Sequence, residues 1–182
     1  LAARKLEEVK IFDLNEERCK AFAEQMQEEL ASYGAKILPA ASSDECIEDA
    51  DLIITVTPSP KPVFDGTKVK VGATISCVGT YEPHKHEMDP AILPRASKII
   101  CDSKEAALSE TGDLLIPIAD GIITEDDIQG SLGDVINGKI KGRENDDEII
   151  VYETVGVAAQ DLVAAKVIYD KAVEAGKGLV WG

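Results

Sequence analysis

The feature that most constrains this chain is the alternation of short apolar runs with helical patterns along its whole length. Residues 9–14 read as a strand, and Asn15 then caps a helix that places Cys19, Phe22, Ala23 and Met26 on one face at helical spacing. Gly34 ends that helix and 35–38 form a short strand. Ser42, with Glu45 three residues on, offers a capping box that opens a short helix to Ala50. Residues 51–56 are continuously apolar after Asp51, the pattern of a strand in a sheet covered on both faces. A proline-rich loop occupies 57–62, and strands follow at 73–78 and 97–101, with Pro90 opening a helix between them. A helix is expected over 103–110, then two short ones around 126–129 and 132–137, the second stopped by Gly138. A last strand spans 148–152, and 158–175 form the longest helix, with Leu162, Ala165, Tyr169, Ala172 and Val173 along one stripe. Such alternation specifies an α/β fold with a mostly parallel sheet, and right-handed crossovers favour a doubly wound, Rossmann-like form.

Composition narrows the partners. Thirty-four acidic residues against 19 Lys and Arg leave a formal charge of −15. That field repels phosphate backbones and gives no attraction to anionic lipid, so neither nucleic acid nor a membrane surface is an expected partner. No apolar run approaches the ~18 residues of a membrane span, and no signal peptide is visible. None of Cys19, Cys46, Cys77 and Cys101 forms a C-x-x-C pair, and Cys77 and Cys101 sit inside strand-like runs. Buried, reduced thiols and a cytoplasmic setting are the expectation.

Asp13 closes the first strand. In a dinucleotide fold an acid at the end of the second strand accepts hydrogen bonds from the adenosine ribose, ~20 residues after a glycine-rich loop. Counting back that far lands before residue 1. If Asp13 has this role, the first strand and the glycine loop lie outside this sequence, and residues 1–6 are the end of the helix whose N-terminus binds pyrophosphate. The first strand is central in the usual order, so the gap between the strands at Val9 and Ile53 should be filled by a parallel strand from elsewhere. The alternative is that Asp13 merely begins a turn.

From Ala50 onward the sequence resembles the ornithine cyclodeaminase/μ-crystallin family. Residues 50–59 are similar to that family's strand and Thr/Ser-rich loop. Gly79-Thr80-Tyr81-Glu82-Pro83 with Glu87-Met88-Asp89 resembles its Gly-x-x-x-Pro…Glu-Leu segment, and Glu110-Thr111-Gly112-Asp113 its acid-x-Gly-Asp turn. Leu132-Gly133-Asp134 with Gly142-Arg143 resembles its Leu-Gly-Glu…Gly-Arg signature. Thr154-Val155-Gly156-Val157-Ala158 with Asp161 is similar to its Ser-x-Gly-x-Ala-x-x-Asp helix start. The resemblance implies that 1–156 form an incomplete dinucleotide-binding domain. It also implies that 157–182 form a helix and tail returning toward an absent N-terminal domain, which carries substrate binding and homodimerisation.

It further implies a nicotinamide cofactor held by Asp13, Thr55, Thr57, Val78, Gly79, Lys85 and Thr154, with Val155 against the substrate. Acids at Asp13, Glu16 and Glu17 favour NAD over NADP, although Arg18 opposes them. Read from the residues alone, Thr55 can be an ordinary β-branched strand residue, Lys85 a solvated loop lysine and Arg143 a structural one. His84-Lys85-His86 is a weak metal signal, and no metal is expected. The family's cyclodeaminases carry a catalytic Asp two residues after the glycine that corresponds to Gly79, and this chain has Tyr81. A phenol of pKa ~10 is a poor base at neutral pH, which disfavours ornithine cyclisation but not hydride transfer. The expected activity is an NAD-dependent imine reductase or amino-acid dehydrogenase acting on a small amino or cyclic imino acid, with Tyr81 as candidate proton or hydrogen-bond donor. The alternatives are ornithine cyclodeaminase and a non-catalytic dinucleotide-binding protein of the μ-crystallin kind.

Overall fold

The computed structural model describes residues 3–179 and 181. The elements run β1 (Glu8–Ile11), α1 (Glu16–Glu29), β2 (Lys36–Pro39), α2 (Ser43–Ile47), β3 (Leu52–Thr55), β4 (Thr74–Cys77), β5 (Lys98–Cys101), α3 (Lys104–Glu110), α4 (Gly112–Ala119), β6 (Ile128–Ser131), α5 (Leu132–Ile136), β7 (Ile150–Glu153) and α6 (Ala158–Glu174). All strand pairs are parallel, as the alternation of strands and helices requires. The fold is therefore α/β and Rossmann-like.

The strands form two groups. β1 pairs with β2, and a five-stranded sheet has the order β3-β4-β7-β5-β6. β1 does not pair with β3, and among the described residues no strand joins the two groups. The expected separation of these strands is present; a strand to fill it is not supplied by the described residues. The reading of 1–6 as a helix end fares differently. Leu1 and Ala2 lie outside the described residues, and Ala3 to Leu6 are a bend and irregular chain, not helix.

Local signals account for most elements. Asn15 Oδ1 accepts from Arg18 N at 2.9 Å and starts α1, which buries Cys19 and Ala23 but leaves Phe22 half-exposed. Ser42 Oγ accepts from Glu45 N at 3.1 Å, while the Glu45 carboxylate takes Ala41 N rather than the Ser42 amide of a full capping box. Ser103 caps α3 and Ser131 caps α5.

Three expectations need correction. The helix expected at 126–129 is a single 3-10 turn, Glu125–Asp127, followed by the edge strand β6, because Ile128 turns into the core beside β5. α4 is a helix that the sequence conceals, since Gly112 and Pro117 are both helix-breaking signals; burial of Leu114 and Pro117 overrides them. β3 is not covered on both faces: Ile53 and Thr55 are buried, whereas Leu52, Ile54 and the following Val56 are 47%, 57% and 67% exposed. α6 likewise has no buried residue, and Leu162, Val167, Ile168, Tyr169 and Val173 stand exposed along it.

The core lies against the other face of the five-stranded sheet, where Ile75, Val151 and Ile99 meet Met88, Ile92 and Leu114. It also contains three fully buried acids, Glu87, Asp113 and Glu153, and two fully buried thiols, Cys77 and Cys101. All four cysteines are free, as expected. Glu153 takes the Thr111 hydroxyl at 3.1 Å, and Asp113 takes Met88 N at 2.7 Å. Glu153 Oε2 and Asp113 Oδ2 have no hydrogen-bond partner among the described residues. One donor atom each from Cys77, Asp113 and Glu153 lies within 4.8 Å of the others.

Burial first, and then the neighbouring Asp113 charge, hold the Glu153 carboxyl well above the usual carboxylate range. Burial also raises Asp113, and burial pushes Cys101 up to about 12. Protonation of Glu153 thus removes one of the charges that this cluster cannot pair. A carboxyl whose pKa is raised on folding stabilises the fold least when the pH is high. Stability falls as pH rises from the unfolded value of ~4.3 toward the folded one, because the folded state holds the proton and the unfolded state has lost it. Glu153→Gln keeps an acceptor for Thr111 and supplies a permanent N–H donor toward Asp113. The variant is expected to match wild type near pH 4.5 and to unfold roughly 2–5 °C higher at pH 8. Thermal unfolding of the purified protein at both pH values checks this, and a destabilised variant at pH 8 would show that the ionised acid is the native form.

Candidate active site

The parallel ladder puts the candidate site residues in a row. Thr55, Cys77, Glu153 and Cys101 are register partners across β3, β4, β7 and β5. One residue further the ladder still holds: Val78 N donates to Thr55 O, Thr154 N to Cys77 O and Asp102 N to Glu153 O, at 2.9–3.0 Å. Beyond that rung the strands part into loops. Thr57, Gly79 and Val155 lie at this carboxyl edge, where open parallel sheets bind ligands. Alternation of side chains then divides the candidates between two faces.

The aligned rung faces the core. Thr55 is buried with its hydroxyl turned inward beside the Cys77 thiol, so its side chain stands behind the carboxyl edge. Val78, on the next rung, is 44% exposed, and Tyr81 is 62% exposed. Thr154 is half-buried, and its hydroxyl donates to Asp102 Oδ2 at 2.6 Å. The same Asp102 oxygen accepts from Gly156 N at 2.8 Å, so one carboxylate holds the turn 154–156 on both sides of Val155. Lys85 is paired with Glu82 within its own loop, and that contact raises the Lys85 pKa.

Gly79 has a packing reason of its own: a methyl group there would collide with the Thr57 carbonyl and the Glu87 carboxylate. Gly112 is required in the same way: a Cβ would strike the Lys85 carbonyl, because the 81–86 loop lies over the start of α4. Gly112 N donates to Glu82 O at 3.2 Å and fixes that loop.

Three polar residues that organise the site are not singled out by the sequence. Glu87 Oε1 accepts from Thr57 N, and its Oε2 accepts from Gly79 N at 2.9 Å. Asp102 holds the 154–156 turn, and Asp113 anchors Met88. Glu87 and Asp113 fall inside recognisable family segments, which is a signal of position but not of role. Nothing in the sequence marks Asp102 beyond its place after an apolar strand.

Asp13 lies apart from this row, two residues after β1. Its carboxylate accepts from Asn15 N at 2.7 Å and from Arg18 Nη2 at 2.6 and 2.7 Å. The Asn15 N–H, and then the Arg18 side chain, hold Asp13 below the usual carboxylate range, so it is a charged acceptor. A dinucleotide spans from an acid at one strand end to the next strands' ends, and the residues present suit both of its termini. Asp13 offers acceptors for ribose hydroxyls, and the exposed Val78 and Tyr81 offer an apolar and aromatic wall to a flat ring.

Comparisons with known proteins agree with this geometry. Residues 1–176 match the model of the ornithine cyclodeaminase/mu-crystallin family. A Delta(1)-pyrroline-2-carboxylate reductase of Bacillus cereus is 40% identical over 177 residues, covering 97% of this chain and 53% of the relative. The Delta(1)-pyrroline-2-carboxylate reductase of Thermococcus litoralis, solved with NADH and L-proline, superposes with a TM-score of 0.92 at 36% identity, over 99% of this chain and 55% of that one. An archaeal alanine dehydrogenase dimer with bound NAD gives a TM-score of 0.85 at 31% identity, over 98% of this chain and 53% of that one. The chain spans about half the length of the relatives it matches. It belongs to the ornithine cyclodeaminase/mu-crystallin family.

Proposed function

We propose that this chain is the dinucleotide-binding part of an NAD-dependent oxidoreductase that reduces small cyclic imino acids or oxidises the corresponding amino acids. The observation that carries the reading is the row of strand ends leading to Val78, Gly79, Tyr81 and Val155, in a chain that superposes with a TM-score of 0.92 on a reductase holding NADH and L-proline. When bound, the nicotinamide exchanges a hydride with the carbon of a C=N or CH–NH unit. The chain's own residues then have limited tasks. Asp13 receives the adenosine ribose. Thr57, Gly79 and the Asp102-held turn at Thr154 fix backbone around the nicotinamide, and Val155 walls off water beside the substrate. Lys85 borders the cofactor from the 81–86 loop.

Tyr81 stands exposed where the cyclodeaminases have an acid, and its hydroxyl can give a hydrogen bond or a proton to the substrate nitrogen. Residues 1–156 form the cofactor domain in this reading. The exposed apolar stripe of α6 packs on a separate substrate and dimerisation domain, whose cations hold the substrate carboxylate. The protein works in the cytoplasm as a homodimer, and this chain alone would lack activity.

Cofactor choice follows from Asp13. A 2′-phosphate would face its charge and those of Glu16 and Glu17, so the full-length protein is expected to bind NADH at least tenfold more tightly than NADPH. Nicotinamide fluorescence titration measures this, and an NADPH preference would mean that Arg18 rather than Asp13 governs the pocket.

Substrate choice follows from Tyr81. The full-length enzyme should reduce a five- or six-membered cyclic imino acid with NADH and make no proline from ornithine at a comparable rate. Tyr81→Phe should lower kcat by roughly 10–100-fold with little change in the KM for NADH, the loss expected on removing a proton donor. Proline and ammonia formed from ornithine as fast as imine reduction would overturn the reading.

A further inference from the structure

We propose that Glu87 is a positioning residue for the dinucleotide: its buried carboxylate sets the spacing of the two loops that receive the nicotinamide end. This rests on the function proposed above. The ladder between β3 and β4 ends with Val78 N on Thr55 O. Past it, Thr57 N, two residues beyond Thr55, and Gly79 N, one beyond Val78, both donate to a side chain instead of to a ladder carbonyl. The Glu87 carboxylate lies between them and accepts from both, with Oε2 at 2.9 Å from Gly79 N. It continues the sheet past its last ladder bond by means of a side chain.

The bridge is held from behind. Glu87 is fully buried, its own carbonyl accepts from Val63 N at 2.8 Å, and Met88 N is taken by Asp113 at 2.7 Å. Gly79 is bare because a Cβ would occupy the space of the carboxylate and of the Thr57 carbonyl. The arrangement demands two acceptor oxygens on one rigid group. A glutamine offers one, and its NH2 would face an N–H. An aspartate is a methylene shorter and can reach one amide but not both.

The test uses the full-length protein with Glu87→Gln and Glu87→Asp. Expected results are an NADH dissociation constant and KM raised at least tenfold, kcat at saturating NADH within about threefold, and the KM for the imino acid within twofold. In the cofactor-free protein, amide hydrogen exchange at Thr57 and Gly79 should quicken at least tenfold. Ile128→Val serves as the comparison, since it trims a fully buried side chain on the edge strand β6, away from both loops. It should lower Tm and leave NADH affinity unchanged.

Unaltered NADH affinity in folded Glu87→Gln, or an equal loss in Ile128→Val, would overturn the proposal. If both Glu87 variants fail to fold, the wild-type exchange decides: protected amides at Thr57 and Gly79 without cofactor support the bridge, and fast exchange at either one refutes it. A wild-type protein that binds no NADH would instead refute the function proposed above.

Discussion

The parallel register of β3, β4, β7 and β5 is the constraint on which the rest of the structure depends. It brings Thr55, Cys77, Glu153 and Cys101 to one level. Residues of one rung in a parallel sheet face the same side, so all four turn into the core together and the next rung turns away. Two consequences follow. The carboxyl of Glu153, the last residue of β7, is forced out of water, which holds its pKa well above the usual carboxylate range, and a row of backbone termini emerges at one edge. Fixing that edge falls to acids which arrive from outside the strands or lie just past them. Glu87 ties β3 to β4, and Asp102 ties β5 to the turn after β7. Each replaces a ladder bond that the diverging backbones can no longer make.

Much of this was legible because local physics and the fold agree. Asn15, Ser42 and Ser103 cap helices with short side chains, and the strands from 51 to 101 are runs that no helical stripe can accommodate. α4 was concealed because its helix-breaking residues are tolerated only through burial, which a linear reading does not contain. β6 was concealed because three acids in a row mark a helical turn equally well, and only the neighbouring β5 decides. The site divides along the same line. Asp13 could be placed by its position after a strand, and Val78 and Tyr81 by the resemblance, whereas the partners of Glu87 and Asp102 are 30 and 54 residues away in sequence at the farthest. Gly79 shows the limit most clearly: the residue was identifiable, but its reason is a carboxylate eight positions later.

The exposed apolar faces belong to the same argument. Leu52, Ile54 and Val56 on one side of β3 and the stripe along α6 are runs of exposed apolar side chains, the kind of surface that packing covers. Burying one such side chain contributes roughly 1.5–3 kcal/mol, so two unfilled faces amount to a large part of a domain's ~5–15 kcal/mol margin. A dinucleotide domain of this proposed type gains from that arrangement. α6 starts one residue past the Asp102-held turn 154–156, so packing against its exposed stripe and the position of Val155 are mechanically linked.

Asp13 and Arg18 pose the remaining question of charge. In the structure the carboxylate is engaged by Asn15 N and by Arg18, and in the proposed function ribose hydroxyls share it. The ion pair is exposed on the Arg18 side, with that side chain 70% accessible, so it is a weak competitor that salt and solvent screen. The Asn15 amide binds from the chain side and need not be displaced. Loss of Arg18 from the pair leaves Asp13 fully charged and able to accept two neighbouring hydroxyls. A 2′-phosphate gains Arg18 only by leaving that carboxylate unpaired beside it, with Glu16 and Glu17 on the same turn. With the ribose placed on Asp13 as proposed, the pair admits a neutral ribose and opposes a phosphate, so a single arginine near the acid does not reverse the proposed preference for NAD.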